Sequence, residues 1–302
     1  MTIVEAIKWG NEKLKAGTDE VDNSASPLLD VQVLLAAILN TPTSYLFTHL
    51  DQTLKETELE KFRKFINRRS KKEPVAYIIG EKEFYKRSFL VNPHVLIPRP
   101  ATETLIEIAL NEAKKNNGEC WFADIGTGSG AIAITLAAET GLPVIASDVS
   151  SEALTVAKQN MVKNKIADLI DFRHGDLLEP LIKIFQTLKN SPEKNTCTNL
   201  IVCANLPYLS HSQWYSLESN VRNFEPALAL TAGHDGLDLY WRLIRDLKKS
   251  RPLFPAQLTL ILEIDPDQTQ KIIEIIKHDF SETNPLIFKD LEGWNRVVLV
   301  EF

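Results

Sequence analysis

Apolar residues recur at three-and-four spacing through the N-terminal part of the chain: Val4 and Ile7, then Val31, Leu34, Leu35, Ile38 and Leu39, then Leu59, Phe62, Phe65 and Ile66. That spacing gives each of several short helices one apolar stripe. The polar stretch 18–27, which ends in Pro27, and the stretch 40–44 around Pro42 mark the breaks between them. Strand patterning is absent here, so residues 1–73 are predicted to form a small helical bundle.

Beyond Pro74 the period changes. Residues 75–79 and 84–91 are rich in β-branched and aromatic side chains on either side of Gly80, which predicts a connecting β-hairpin within 74–97. Pro100 then opens a helix over 102–115 that runs out in Asn116, Asn117 and Gly118. From Cys120 onward, short apolar runs at 121–125, 144–147, 170–174, 200–204, 258–264 and 297–302 read as strands, with helical stretches such as 131–139 and 151–163 between them. Strict alternation of this kind specifies an α/β domain over 98–302, a doubly wound, mainly parallel sheet covered on both faces. The polar run 189–199 reads as a mobile loop.

Composition narrows the class without naming a function. In 302 residues, 44% hydrophobic and 25% charged positions are those of an ordinary globular chain long enough for about two domains. The opening MTIVEAIKWGNEK lacks the succession of a signal peptide, and no apolar run approaches the roughly 18–20 residues of a membrane span. Cys120, Cys197 and Cys203 form no CxxC pair, which fits a reducing compartment. A cytoplasmic location, no membrane partner and a monomer are therefore expected.

A net charge of −6 argues against a partner held mainly through phosphates, so direct nucleic-acid binding is not expected. One segment, 55–72, is nevertheless basic, with eight Lys and Arg against three Glu. It reads either as a solvated helix face with pairs such as Glu60 and Lys64 or as a docking surface. His94, His174, His211 and His234 stand apart without ligand spacing, and no metal is expected.

The chemistry concentrates in two places. The segment FADIGTGSGAIAITLA runs from an apolar strand through Gly126, Thr127, Gly128, Ser129 and Gly130 into an Ala-rich helix. Glycines at alternate positions let the chain turn sharply and let a ligand lie against main-chain N–H groups. The spacing is G-x-G-x-G with Asp124 two residues ahead, not the G-x-G-x-x-G of a dinucleotide site. Asp148 ends the second strand 22 positions after Gly126, near the offset at which a carboxylate meets ribose hydroxyls, the lesser alternative being a cap for the helix beyond it. Asp176 and Leu177 come just after the third strand. The second place is the end of the fourth strand, where LIVCA runs into Asn205, Leu206, Pro207 and Tyr208, at the edge where doubly wound sheets bind ligands.

The glycine segment resembles the first motif of S-adenosylmethionine-dependent methyltransferases, and NLPY resembles their NPPY-class motif, which methylates planar nitrogens. The resemblance implies cofactor contacts from Asp124, the 126–130 loop, Asp148, Asp176, Leu177 and Asn205, with S-adenosylhomocysteine as product. An amide or aryl NH2 has its lone pair drawn into a π system, so catalysis there rests on placement. The side-chain carbonyl of Asn205 and the main-chain carbonyl of Leu206 can each accept an N–H, Pro207 stiffens the turn and Tyr208 can stack on the substrate plane.

Read together, EPVAYIIGEKEFY, NPHVLIPRPATETLIE, DIGTGSGAIAI, NLPYL, NFEPALALTAGHDGLDLY, LEIDPDQ and EGWNRVVLVE resemble the peptide chain release factor glutamine N5-methyltransferases from Glu73 to Glu301. The resemblance implies a seven-stranded Rossmann-like methyltransferase sheet behind a helical bundle, and methylation of the glutamine in the GGQ tip of translation release factors. The bundle would grip the factor, and Arg99 and Glu225 would frame the cleft. Leu206 stands where that family usually has Pro, Ala101 where an acidic residue is common and Asp265 where Gly is usual. NLPY is also the form in ribosomal RNA adenine dimethyltransferases, so an RNA or DNA amino-group methyltransferase is the alternative.

Overall fold

The computed structural model describes residues 1–16, 26–190 and 197–302. The expected break at 18–27 and loop at 189–199 fall largely outside these described residues. The chain divides into two compact units, Met1–Glu81 with Glu218–Phe224, and Lys82–Leu217 with Glu225–Phe302.

The first unit is helical: α1 (Ile3–Lys15), α2 (Pro27–Leu39), α3 (Thr43–Thr48), α4 (Glu56–Arg69) and α5 (Val75–Ile79). Thr2 and Glu5 cap α1 reciprocally, and Pro27 opens α2 where its missing N–H is not needed. The stripe that α1 buries is Ile3, Ala6, Gly10 and Leu14, one step round the helix from Val4 and Ile7. In α2 and α4 the buried positions are Val31, Leu34, Leu35, Ala36, Leu59, Phe62 and Ile66, while Ile38, Leu39 and Phe65 are partly buried.

Residues 75–79 depart from the expected strand: they form α5. Pro74 caps the helix, and the chain leaves it through Gly80 in the left-handed region at φ 88°. Arg68 donates to the carbonyls of Tyr77 and Ile78 at 3.2 Å each, satisfying groups that a helix end leaves open. Ile78 is buried in the bundle core, so the unit extends to Glu81, beyond the expected boundary at residue 73. The β-branched run is overridden by tertiary packing.

The hairpin itself is β1 (Glu81–Phe84) and β2 (Arg87–Leu90), turned by Tyr85 and Lys86, both at positive φ. It leads to α6 (Glu103–Lys115), which is entered through a short 3-10 turn, Pro100–Thr102. The main sheet holds β3 (Trp121–Ile125), β4 (Val144–Asp148), β5 (Ile170–His174), β6 (Asn199–Ala204), β7 (Gln257–Glu263), β8 (Leu286–Lys289) and β9 (Asn295–Glu301). Between them run α7 (Ala131–Thr140), α8 (Ser151–Lys163), α9 (Glu179–Lys189), α10 (His211–Ser216), α11 (Ser219–Arg222), α12 (Asp238–Ser250) and α13 (Thr269–Asp279), with α11 assigned to the first unit.

Sheet order is β5-β4-β3-β6-β7-β9-β8, parallel except for β9, which is antiparallel to both neighbours. β6 shows why the strands read as continuous apolar runs: Leu200, Val202 and Ala204 join the core on one face, Ile201 and Cys203 the core on the other. The chain winds outward through β4 and β5 and returns to place β6 beside β3. That reversal is the topological switch point, and the register there pairs Ile125 with Ala204. The loops that leave these two strands are therefore neighbours.

Candidate functional site

At that switch point lies a cleft of about 400 Å³. Its walls include Gly126, Thr127, Gly128, Ser129, Asp148, Asp176, Leu177, Asn205, Leu206, Pro207 and Arg99. Four expected site residues do not line it: Asp124, Gly130, Tyr208 and Glu225.

The glycine loop is held from beneath. Gly126 and Thr127 donate their N–H groups to the Ser147 carbonyl at 2.9 Å, and Gly126, Gly128 and Gly130 have φ values of 75°, 55° and 81°. A Cβ on Gly130 would lie 2.9 Å from Ile134 Cδ1 and 3.2 Å from Ala157 Cβ, so this glycine also lets α7 start against α8. Asp124 is fully buried under the loop, its Oδ2 accepting from the Thr127 hydroxyl at 2.6 Å and the Ala133 N–H at 3.1 Å. Its Oδ1 has no hydrogen-bond partner, and burial pushes its pKa up to about 7.

Asp148 reaches across to the loop. One carboxylate oxygen accepts from the Gly128 N–H at 2.8 Å and the other from the Ser150 N–H at 2.9 Å. Burial raises its pKa, while these hydrogen bonds lower it. The helix cap is Ser150, whose hydroxyl accepts from Ala153 N–H at 3.0 Å, so Asp148 is free for the cleft. Asp176 is half exposed and ion-paired with Arg242 on the cleft wall. Leu177 takes φ 46°, a left-handed conformation that costs a bulky residue roughly 1–3 kcal/mol and is held by the surrounding structure.

On the β6 side, Asn205 Nδ2 donates to Thr102 Oγ1 at 3.1 Å. The Leu206 side chain is buried, and its Cδ2 lies 3.3 Å from where a Gly126 Cβ would be. Its carbonyl stands 3.5 Å from the Tyr240 hydroxyl, which makes its close bond, 2.6 Å, to the Glu263 carbonyl instead. The Tyr208 ring is partly buried against the core of the second unit, and burial raises its pKa. Its carbonyl accepts from Gln268 Nε2 at 2.8 Å, which fixes the end of the tetrapeptide. Glu225 braces the cleft from behind. Its carboxylate takes the Arg99 guanidinium and the Ile97 N–H, the latter at 3.1 Å.

Three braces were not apparent from sequence, Thr102, Asn160 and Gln268, and neither was the buried carboxyl of Glu263. Asn160 is fully buried and bonds the carbonyls of Ser129 and Leu90 as well as the Leu90 N–H. Glu263 and Gln268 both lie in LEIDPDQ, where a carboxyl at the end of the apolar run LTLILE is itself a signal. Among the described residues, no group of three or more His, Cys, Asp or Glu could hold a metal ion.

A mainly parallel seven-stranded sheet with a G-x-G-x-G loop and an Asn-x-Pro turn facing each other at its switch point defines a Rossmann-like methyltransferase. Residues 5–80 match the PrmC N-terminal domain family, and residues 100–198 match the methyltransferase small domain family. The release factor glutamine methyltransferase of Bacillus cereus is 33% identical over 100% of this chain and 99% of that protein. The protein of the same name from Bacillus subtilis is 35% identical over 98% and 96%. This chain belongs to the release factor glutamine methyltransferase family.

It is also similar to the bifunctional methyltransferase of Rickettsia conorii, 33% identical over 95% of this chain, but it spans only 56% of that protein. The fold alone is shared with the hMettl16 catalytic domain in complex with the MAT2A 3'UTR hairpin 1, with a TM-score of 0.55 and 15% identity over 88% of this chain and 90% of that one.

The cleft fits the methyl donor of this class. Gly128 has nothing within 4 Å of a Cβ position, leaving its main chain open to a ligand. Asp148 lines the wall with lone pairs to spare, and Asp124 carries an unpartnered carboxylate oxygen under the loop.

Proposed function

We propose that this chain transfers a methyl group from S-adenosylmethionine to the side-chain amide nitrogen of a release factor glutamine, the one in the GGQ motif. The observation that carries this is Asn205: at the end of β6, beside the glycine loop, its donor end is committed to Thr102 and its acceptor end is left for a substrate N–H. S-adenosylmethionine supplies an activated methyl on a sulfonium. The 126–130 loop, Asp148, Asp176 and Leu177 would hold it.

This chain's own contribution is placement. The amide nitrogen has a poor lone pair, and positive charge grows on it as the new bond forms. Asn205 Oδ1 and the Leu206 carbonyl each accept a hydrogen bond from one N–H, so that charge meets acceptors already in position, and the surplus proton passes to water once the new C–N bond has formed. Pro207 and the Gln268 bond to the Tyr208 carbonyl keep those acceptors still. Arg99, held by Glu225, adds a fixed cation to the wall.

The helical unit is the candidate docking surface for the rest of the factor. Its basic segment is only partly available for that role. Arg68 pairs with Glu73, Arg69 with Asp30 and Arg63 with Glu56. Assaying radiolabelled methyl transfer to release factor and to ribosomal RNA in parallel tests the proposal. Label in the factor supports it, and label in RNA alone would replace it with amino-group methylation of nucleic acid. The protein is proposed to act as a cytoplasmic monomer without a metal; no helix of the described residues is long and apolar enough to cross a membrane.

A further inference from the structure

Along its buried face α8 carries Ala153, Leu154, Val156 and Ala157, and then an amide, Asn160, which is fully buried. Both ends of that amide are in use. Oδ1 accepts from the Leu90 N–H at 2.6 Å, while Nδ2 donates to the Leu90 carbonyl at 3.0 Å and to the Ser129 carbonyl at 2.9 Å. The first two bonds grip the last residue of β2, and the third reaches the glycine loop where Ser129 lines the cleft. Gly130 is what lets α8 come so near: a Cβ on it would lie 3.2 Å from Ala157 Cβ, one turn before Asn160. A leucine in place of Asn160 would fill similar space and make none of these bonds.

Gly126, Thr127 and Gly128 are tied to Asp124, Ser147 and Asp148, which holds the start of the loop on β3 and β4. Asn160 holds its far end on α8 and β2. A carbonyl and the N–H that follows it share one rigid plane, and glycine leaves the planes beside it free to turn. We propose that Asn160 is a positioning residue for the cofactor: it pins the plane of the Ser129–Gly130 peptide, with β2 as the anchor, and so keeps the glycine loop in the shape that takes S-adenosylmethionine. The inference rests on the reading that residues 126–130 hold the cofactor. One turn further on, Asn164 Nδ2 donates to the Ser88 carbonyl at 3.2 Å and to the Asn160 carbonyl at 3.0 Å. It ties the same helix to the same strand, and its described bonds do not extend to the loop.

The test compares two variants that each unfasten α8 from β2. Asn160→Ala should weaken S-adenosylmethionine affinity by roughly tenfold in calorimetry, at a temperature where both variants are folded, with more of the loss in KM for the cofactor than in kcat. Asn164→Ala should lower Tm and bind the cofactor like the wild type. Hydrogen exchange on wild-type protein keeps the test independent of whether Asn160→Ala folds. The Leu90 amide exchanges when Asn160 releases it, so adding S-adenosylmethionine should slow exchange in 126–130 and in 87–90 together. Wild-type affinity in Asn160→Ala, an equal loss in Asn164→Ala, or protection of the glycine loop without any in β2 would overturn the positioning role. If the wild-type protein bound no S-adenosylmethionine, the reading of the loop would fail first.

Discussion

Asn205 and Asp148 reach the cleft from opposite sides, one from β6 and one from β4, and their hydrogen bonds separate their tasks. Among the described hydrogen bonds, none joins Asn205 to the glycine loop. Asn205→Ala should therefore leave S-adenosylmethionine affinity nearly intact and lower single-turnover rates by about 10²- to 10³-fold, as when one preorganised contact to a transition state is removed. Normal turnover would remove it from the chemistry. Asp148 has the converse role, since its carboxylate both holds Gly128 N–H and faces the cleft. Asp148→Ala should weaken cofactor binding by roughly 1.5–3 kcal/mol, the worth of hydrogen bonds to a charged group, with circular dichroism unchanged. Unaltered affinity by calorimetry would confine Asp148 to a loop brace.

At the level of single elements, the turn from β3 into α7 is the piece most sensitive to one atom. Gly130→Ala puts a Cβ 2.9 Å from Ile134 Cδ1 on a backbone at φ 81°, so it should cost on the order of 1–3 kcal/mol and weaken cofactor binding along with Tm. A wild-type Tm would mean that α7 can slide off α8.

The same packing decides which elements could be read from the sequence. The central strands were legible because both of their faces are buried, and the two motifs because their chemistry is written in contiguous residues. β8 was not, being a four-residue edge strand with two exposed ends. The run 75–79 was misread because its β-branched residues are held as a helix by Arg68 and the bundle core. Thr102 was invisible because its meaning appears only when it meets Asn205, more than a hundred residues away in sequence. The ring of Tyr208 is partly buried against the core of the second unit.

Across the whole molecule, two buried carboxyls stand out, Asp124 under the glycine loop and Glu263 at the end of β7. Asp124 and Glu263 would ordinarily titrate at 3.8 and 4.5, and burial pushes both up to about 7. Between those values the unfolded chain gives up its protons first, so stability falls as pH rises from about 4 to about 7 and the loss is complete above that. In cofactor-free protein, Asp124→Asn should therefore gain in Tm relative to wild type between pH 5 and 7, and a constant difference across that range would rule out this linkage. The proposed acceptor is a protein amide. Purified enzyme, S-adenosylmethionine and intact release factor, with peptide mass spectrometry of the product, test it without intermediaries. A single methyl group is expected on the side-chain nitrogen of the GGQ glutamine, absent with Asn205→Ala. A factor left unmodified by enzyme that binds the cofactor normally would show that the acceptor is something else.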